Sequence, residues 1–411
     1  MGAPPPHPQI YMFFIIIIAR CLLILQFSVL SLGGNLEEFV TSYFLGKFKK
    51  VDVTSRTQDV LLATSRDKAV AKFIVLQDFC RTNGMVINQS KTKFMVINGD
   101  DRDGVPISSN NVTVPYCTSY VYLGSIITDD GKFSTKIQKH AAEKRKHLNK
   151  FKLFLKKNPD VPFVVKEKVF HACVISTFIY GCESWFFRNI DDINYMYMEG
   201  IKAMLNVRET TANDTCLVEI GYPSLKALIR DKQQKYYQKY TEDRERLFED
   251  PLGLALSLAR TSNLNAHRYM NAVKNEQNII ANDIEIRKDR LRNAEGTKFK
   301  LYVEMNPELS KHKLYEEYEV NDSKRVDFSR FRLSSHRLKV ETGRWARIDR
   351  NRRLCSCSAN IQDEHHVLRE CALSEEVRNQ YLQLNMNIPE IFNSDHNTMT
   401  DFFSKLLKIY K

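Results

Sequence analysis

Val60-Leu-Leu-Ala-Thr-Ser-Arg66, then Gly84-Met-Val-Ile-Asn-Gln-Ser-Lys-Thr-Lys-Phe-Met95, then Tyr122-Leu-Gly-Ser125 are the stretches that decide how this chain is read. Phe94 to Ile97 and Tyr120 to Leu123 are short apolar runs bounded by turn residues, the pattern of strands. Ala69 to Phe79 carries apolar residues at helical spacing instead. The local order is therefore strand, helix, strand, turn, strand.

In that order and with those words the segment resembles the end of the palm in reverse transcriptases of non-LTR (LINE-type) retrotransposons. The resemblance implies an incomplete antiparallel palm with one helix over residues 51–133. In that family the Val-Leu-Leu-Ala strand is entered through a tight hairpin bearing two aspartates, and here those positions are Thr57 and Gln58. Polymerase chemistry uses paired carboxylates to hold two Mg²⁺ ions across the attacking and leaving oxygens. Neutral Thr57 and Gln58 cannot do this, and read by themselves they are ordinary hairpin residues. Asp59 is offset by one residue, which on a strand sends its side chain to the other face. No Asp precedes Asp52 to supply the other metal ligand of the palm, so the Mg²⁺ site is expected to be lost and no catalytic residue is assigned. Lys91 and Lys93 lie where the resemblance implies a lysine near the incoming triphosphate, able to protonate the departing pyrophosphate. Without the metal pair that role is idle.

Working outward, a formal net charge of +12 over 411 residues fits an anionic partner such as an RNA or DNA backbone. The nine cysteines are scattered singly except near the C-terminus, which argues for a reducing compartment rather than a disulfide framework. Within residues 1–50, Ile10 to Leu32 is an apolar run interrupted mainly by Arg20 and Gln26 and long enough to cross a bilayer as a helix. Lys47, Lys49 and Lys50 follow it, which would leave the main domain in the cytosol. The alternative is foreign sequence fused to a retroelement, in the cytoplasm or nucleus.

Ser134 to Lys157 is helical in pattern, with Ile137, Ala141, Leu148, Phe151 and Leu155 on one stripe and Lys139, Lys144 and Lys146 among the many basic residues elsewhere. Asn158 to Pro162 breaks it, and a second helix is expected from Val164 to Tyr180. The resemblance implies a helical thumb over 134–245, gripping template and primer through phosphates. A lysine-rich face is also what any solvated helix presents. Tyr180-Gly-Cys-Glu-Ser-Trp185, Val207 to Asp214 and Glu219 to Pro223 also resemble words of these proteins, and Cys182, Trp185 and Cys216 read as packing residues. Leu225 to Tyr240 reads as a partly exposed helix, and 246–325 as a helical connector.

Residues 326–381 read as a basic segment and a zinc-knuckle-like module, followed by a helical tail over 382–411. Phe328 to Trp345, Arg353-Leu-Cys-Ser-Cys357 and Asp363 to Cys371 resemble the tail of the same retrotransposon proteins. Chemically the block offers Cys355, Cys357, His366 and Cys371, three soft thiolates and an imidazole that suit tetrahedral Zn²⁺. Cys355 and Cys357 have one residue between them rather than the usual two. His365 competes as a ligand, but it would face away if the segment is helical; a small core of reduced cysteines is the other reading. Arg332, His336, Arg337, Lys339, Arg344, Trp345 and the arginines to Arg353 would form a basic, aromatic-bearing surface suited to single-stranded or structured RNA. Alternatively Trp345 anchors the knuckle to neighbouring helices.

The expected fold is thus α+β and predominantly helical. The expected function is that of a nucleic-acid-binding fragment related to reverse transcriptases (RNA-directed DNA polymerases) and not competent alone. The alternatives are part of an active enzyme whose catalytic half lies elsewhere, or a membrane-tethered interaction protein derived from a retroelement.

Overall fold

The apolar run near the N-terminus is where structure and expectation first part. In the computed structural model, which describes residues 10–19, 56–63, 65–97, 104–109, 111–122, 125–130, 133–184, 190–239, 265–318, 322–382 and 386–410, Ile10–Ala19 is a β-strand (β1). It pairs antiparallel with Arg56–Ala63 (β2) along one edge, from Tyr11↔Ala63 to Ile18↔Arg56. Along its other edge it pairs with Met85–Ile87 (β3) and Lys93–Ile97 (β4). The transmembrane helix expected over 10–32 is therefore corrected for its first ten positions: β-branched and aromatic residues favour a strand once strand partners are at hand. Residues 20–32 lie outside the described residues. No helix among the described residues is long and apolar enough to cross a membrane.

The register corrects a second expectation. Thr57 and Gln58 are not at the tip of a tight hairpin but within the β2 ladder, opposite Ile17 and Ile16, and Asp59 is opposite Ile15.

Arg66–Thr82 (α1) starts at Ser65, whose hydroxyl accepts from Lys68 N at 3.3 Å, and ends at Asn83 and Gly84, the latter at φ +65° where glycine carries no Cβ penalty. Its buried residues Ala69, Phe73, Leu76 and Cys80 fall at helical spacing and pack with Phe94, Val96, Ile107 and Val114. Two small hairpins follow, Ile107–Ser109 with Val112–Val114 (β5, β6) and Ser119–Tyr122 with Ser125–Thr128 (β7, β8). The strand, helix, strand order read from the sequence is present here.

The rest is helical: Phe133–Lys157 (α2), Phe163–Phe170 (α3), Asp191–Leu205 (α4), Asn213–Glu219 (α5), Leu225–Lys239 (α6), Asn265–Lys274 (α7), Ile279–Arg292 (α8), Thr297–Met305 (α9), Asp322–Arg332 (α10), Lys339–Trp345 (α11), Glu364–Arg369 (α12), Glu375–Tyr381 (α13), Ile388–Phe392 (α14) and His396–Ile409 (α15). The chain is thus predominantly helical with a small antiparallel sheet. Helix α3 continues through one π-turn, His171–Ile175, to Phe178. The described residues fall into two compact units. The first takes those up to His140, those between Tyr180 and Asn189 and those between Gln233 and Asn275; the second takes the remainder.

In the second unit Ala141, Leu148 and Phe151 of α2 are buried as their spacing predicts, and Phe151 meets Phe170 at 5.1 Å between ring centroids. Cys182, in the first unit, and Cys216, in the second, are buried as packing residues; Trp185 lies outside the described residues. A second aromatic group joins Phe328, Phe331, Phe392 and Phe403, with Phe331 and Phe403 at 4.9 Å.

Between these groups runs a buried polar network. Glu219, fully buried, accepts from Arg332 Nε at 2.8 Å and Nη2 at 3.0 Å, and from the hydroxyls of Tyr302 at 2.9 Å and Tyr315 at 2.8 Å. Arg332 also donates to Met305 O at 3.0 Å. Beside it Asp322 binds Arg325 and Lys166, the latter at 2.6 Å. Arg332, expected on a nucleic-acid-binding surface, is therefore corrected to an interior residue: its charge is used on Glu219 and it is 1% exposed.

Breaking a buried ion pair leaves a charge without compensation, whereas replacing both partners by apolar residues is often near neutral. Arg332→Met should cost about 3–5 kcal/mol in urea unfolding, and Glu219→Leu with Arg332→Met should cost less than the sum of the single changes. At Gly200 a Cβ would stand 2.4 Å from Phe170 Cε2, so Gly200→Ala should lose about 1–3 kcal/mol in the same assay by overpacking.

Candidate metal centre

Residues 353–362 fold into a tight loop closed by backbone pairing. Leu354 and Ile361 form an antiparallel bridge, Cys355 N donates to Asn360 O at 2.8 Å, and Gln362 N donates to Arg353 O at 2.9 Å. Ser358 turns the loop at φ +64° and its N–H reaches Cys355 O at 2.9 Å. This curl presents Cys355 and Cys357 together although only one residue separates them.

Helix α12 brings the other two donors. Asp363 caps it, accepting from His366 N at 3.0 Å, and so places His366 in the first turn. The helix ends at Glu370, and Cys371 folds back with its N–H on His366 O at 2.9 Å. Arg378 of α13 holds Cys371 O at 2.6 Å, which satisfies a carbonyl at the helix end.

The four donor atoms all lie within 4.8 Å of one another. Cys355 Sγ is 3.6 Å from Cys371 Sγ, and Cys357 Sγ is 3.2 Å from His366 Nε2. Zinc bonds of about 2.3 Å to sulfur and about 2.0 Å to nitrogen put tetrahedral ligand atoms roughly 3.5–3.8 Å apart. The cluster is close to that size and has the donor chemistry of a Zn²⁺ site, so it could hold a metal ion. All four ligands come from the protein, which suits a structural ion rather than one that keeps a position open for substrate.

Neighbouring groups orient the donors. Glu370 Oε2 is 3.5 Å from His366 Nδ1, which leaves Nε2 toward Cys357. Gln362 Nε2 points at Cys355 Sγ from 3.7 Å. The Ala359 N–H bonded to Cys357 sulfur, aided by His366, draws that thiol down to about 6, while burial pushes the Cys355 thiol up. One thiolate is thereby favoured before any ion binds. His365 is turned out, 53% exposed along its side chain and 3.3 Å from Glu304, so the two adjacent histidines face different ways.

Helix α12 is tied into the second unit by Glu364, which accepts from His336 Nε2 at 2.8 Å and Ser334 Oγ at 3.2 Å. Burial pushes the Glu364 carboxyl up, but the His336 imidazole, a backbone N–H and the Ser334 hydroxyl together more than offset this and hold it below its ordinary range. His336, expected on the basic surface, is thus an interior anchor, 2% exposed. Sequence reasoning gave no role to Glu370 or Glu364; the spacing of four between His366 and Glu370 on a helix was the available sign.

The residues expected to meet nucleic acid fall in both units. In the first unit Lys91 is exposed in the turn before β4, Lys93 half-buried at its start, and Lys139 exposed on α2. In the second unit Lys146 is exposed, whereas the Lys144 side chain is largely covered, 3.8 Å from Glu143. Arg145 and Lys152 bind Glu199 of α4, so part of that basic face is used within the fold. Arg344 pairs with Glu341 at 2.7 Å, and Trp345 is exposed beside Arg208. No protein-family model matches this chain, and no curated protein matches it.

Purified chain should carry about one Zn²⁺ for its four ligands, read by elemental analysis. Cys357→Ser, His366→Ala and Cys371→Ser should each lose it, while His365→Ala should keep it. Glu370→Gln should weaken zinc affinity about tenfold in competition with a chromogenic chelator.

Proposed function

We propose that this chain is the C-terminal part of a LINE-type reverse transcriptase that works as a nucleic-acid-binding protein, with a C-terminal module held by Zn²⁺, and that it does not polymerise by itself. The observation that carries the reading is the gathering of Cys355, Cys357, His366 and Cys371 within one ligand-sized cluster, inside the stretch whose words resemble the tail of those proteins. On this reading the sheet of β1 to β4 with α1 is the end of a palm, and α2 with α3 belongs to a thumb.

Bound Zn²⁺ would supply a cross-link among loop 353–362, α12 and the turn at Cys371 that follows it, with no open position for catalysis. The chain's own residues would supply the affinity: a net charge of +12 attracts phosphates and makes binding depend on salt. The absence of catalysis rests on Thr57 and Gln58, which stand within a strand ladder and carry no carboxylate for Mg²⁺.

Fluorescence anisotropy with a single-stranded RNA should show affinity falling about 100-fold between 50 and 200 mM salt if about five or six phosphates are engaged. An affinity independent of salt would sink the binding reading. Primer extension with Mg²⁺ and deoxynucleotides should yield no product; synthesis by this chain alone would overturn the claim that it does not polymerise.

A further inference from the structure

The approach to the metal centre contains a surface that the ligand cluster does not explain. Residues 344–353 carry five arginines and a single acid, Asp349, and they lead directly into Cys355. Trp345 is 48% exposed at their start. The Arg208 guanidinium, from a distant part of the sequence in the same unit, lies 3.8 Å from the indole centroid, a contact within cation–π range.

Arg208 is held there by several bonds. Its N–H donates to Ser335 Oγ at 2.9 Å, and its Nη2 donates to Ser334 O at 2.5 Å and to Glu341 at 3.2 Å. Its Nε and Nη1 have no hydrogen-bond partner among the described residues. Glu341, 1% exposed, receives Lys298 at 3.0 Å and Arg344 at 2.7 Å as well, so three cations converge on one carboxylate. Arg347 and Arg352 stand exposed and make no ion pair among the described residues. The result is an exposed aromatic surface, backed by a guanidinium held in place, in a field of excess positive charge.

We infer that Trp345, backed by Arg208, is a stacking platform for one base of a single-stranded nucleic acid, with Arg347 and Arg352 placed for the flanking phosphates. An indole offers a π-face to any base, and the excess cations match the one negative charge per nucleotide. A duplex keeps its bases stacked on one another and cannot use the platform in this way. The inference deepens the nucleic-acid-binding reading and rests on it; it assigns the site and the strand state.

The test uses the full chain with fluorescein-labelled oligo(rU), oligo(dT) and a duplex, each of about 12 nucleotides. Anisotropy reads affinity and tryptophan emission reads stacking. Both single strands should bind and quench emission, and Trp345→Ala should weaken both about tenfold. Trp345→Phe should retain binding within about threefold because a smaller π-face remains, yet lose the quench that depends on the indole. Arg208→Ala should weaken binding as well, with thermal melting and zinc content compared to establish that each variant is folded.

Oligo(rU) bound more tightly than oligo(dT), or the reverse, assigns the sugar preference and keeps the platform. A wild-type chain that binds no oligonucleotide defeats the broader reading and this one together. A wild-type chain whose salt-dependent binding is unchanged by Trp345→Ala, with no quench, overturns the platform alone. Equal quenching by the duplex overturns it too.

Discussion

The bidentate pair of Glu219 and Arg332 is the interaction on which the second unit depends. Taking both charges out of water is costly, and the cost is offset only because every polar atom is used: two guanidinium bonds and two tyrosine hydroxyls on the carboxylate, and a backbone carbonyl on the remaining guanidinium nitrogen. Phe328 and Phe392 lie within cation–π distance of the same guanidinium, at 5.3 and 5.4 Å. Helices α5, α9, α10 and α14 therefore meet at one charge pair. Apolar contact alone would tolerate sliding among these helices. A two-bond fork does not.

That fixed point extends to the metal centre. Arg332 ends α10, and the chain then turns at Ser334, φ +47°, to deliver Ser334 and His336 to Glu364. Glu364 opens α12, two residues before His366. The position of a candidate ligand is thus set through successive buried polar contacts. The same turn carries Ser334 O and Ser335 Oγ to Arg208 and so places the guanidinium against Trp345.

What the sequence disclosed follows from which signals are local. Helices α1 and α2 were legible because their apolar residues recur at helical spacing over several turns. The ligand cluster was legible because soft donors in a short segment have few other uses, and His366 could be preferred over His365 because a helix turns adjacent residues apart. The strand β1 was not legible: it opens a longer apolar run, apolar character alone does not separate a buried helix from a central strand, and its partners β2 to β4 lie far along the chain. Arg332 and His336 were misread for a related reason. Charge type favours the surface on average, and only a partner distant in sequence, Glu219 for one and Glu364 for the other, reverses that preference.

Helix lengths give the candidate ion its physical role. Glu364–Arg369, Glu375–Tyr381 and Ile388–Phe392 are six, seven and five residues long. Segments this short do not hold helical structure by themselves, because nucleation costs more than so few hydrogen bonds return. Caps at Asp363 and Asn387 help, but each contributes only about 1 kcal/mol. The short helices must therefore be fixed from outside: α14 through Phe392 beside Arg332, α13 through Arg378 on Cys371 O, and α12 through Glu364 and through the cluster that joins loop 353–362 to both its ends. A bound Zn²⁺ at that cluster would act on the fold first, and on the proposed nucleic-acid surface only through the arginine-rich segment and Trp345 that the folded loop holds in place.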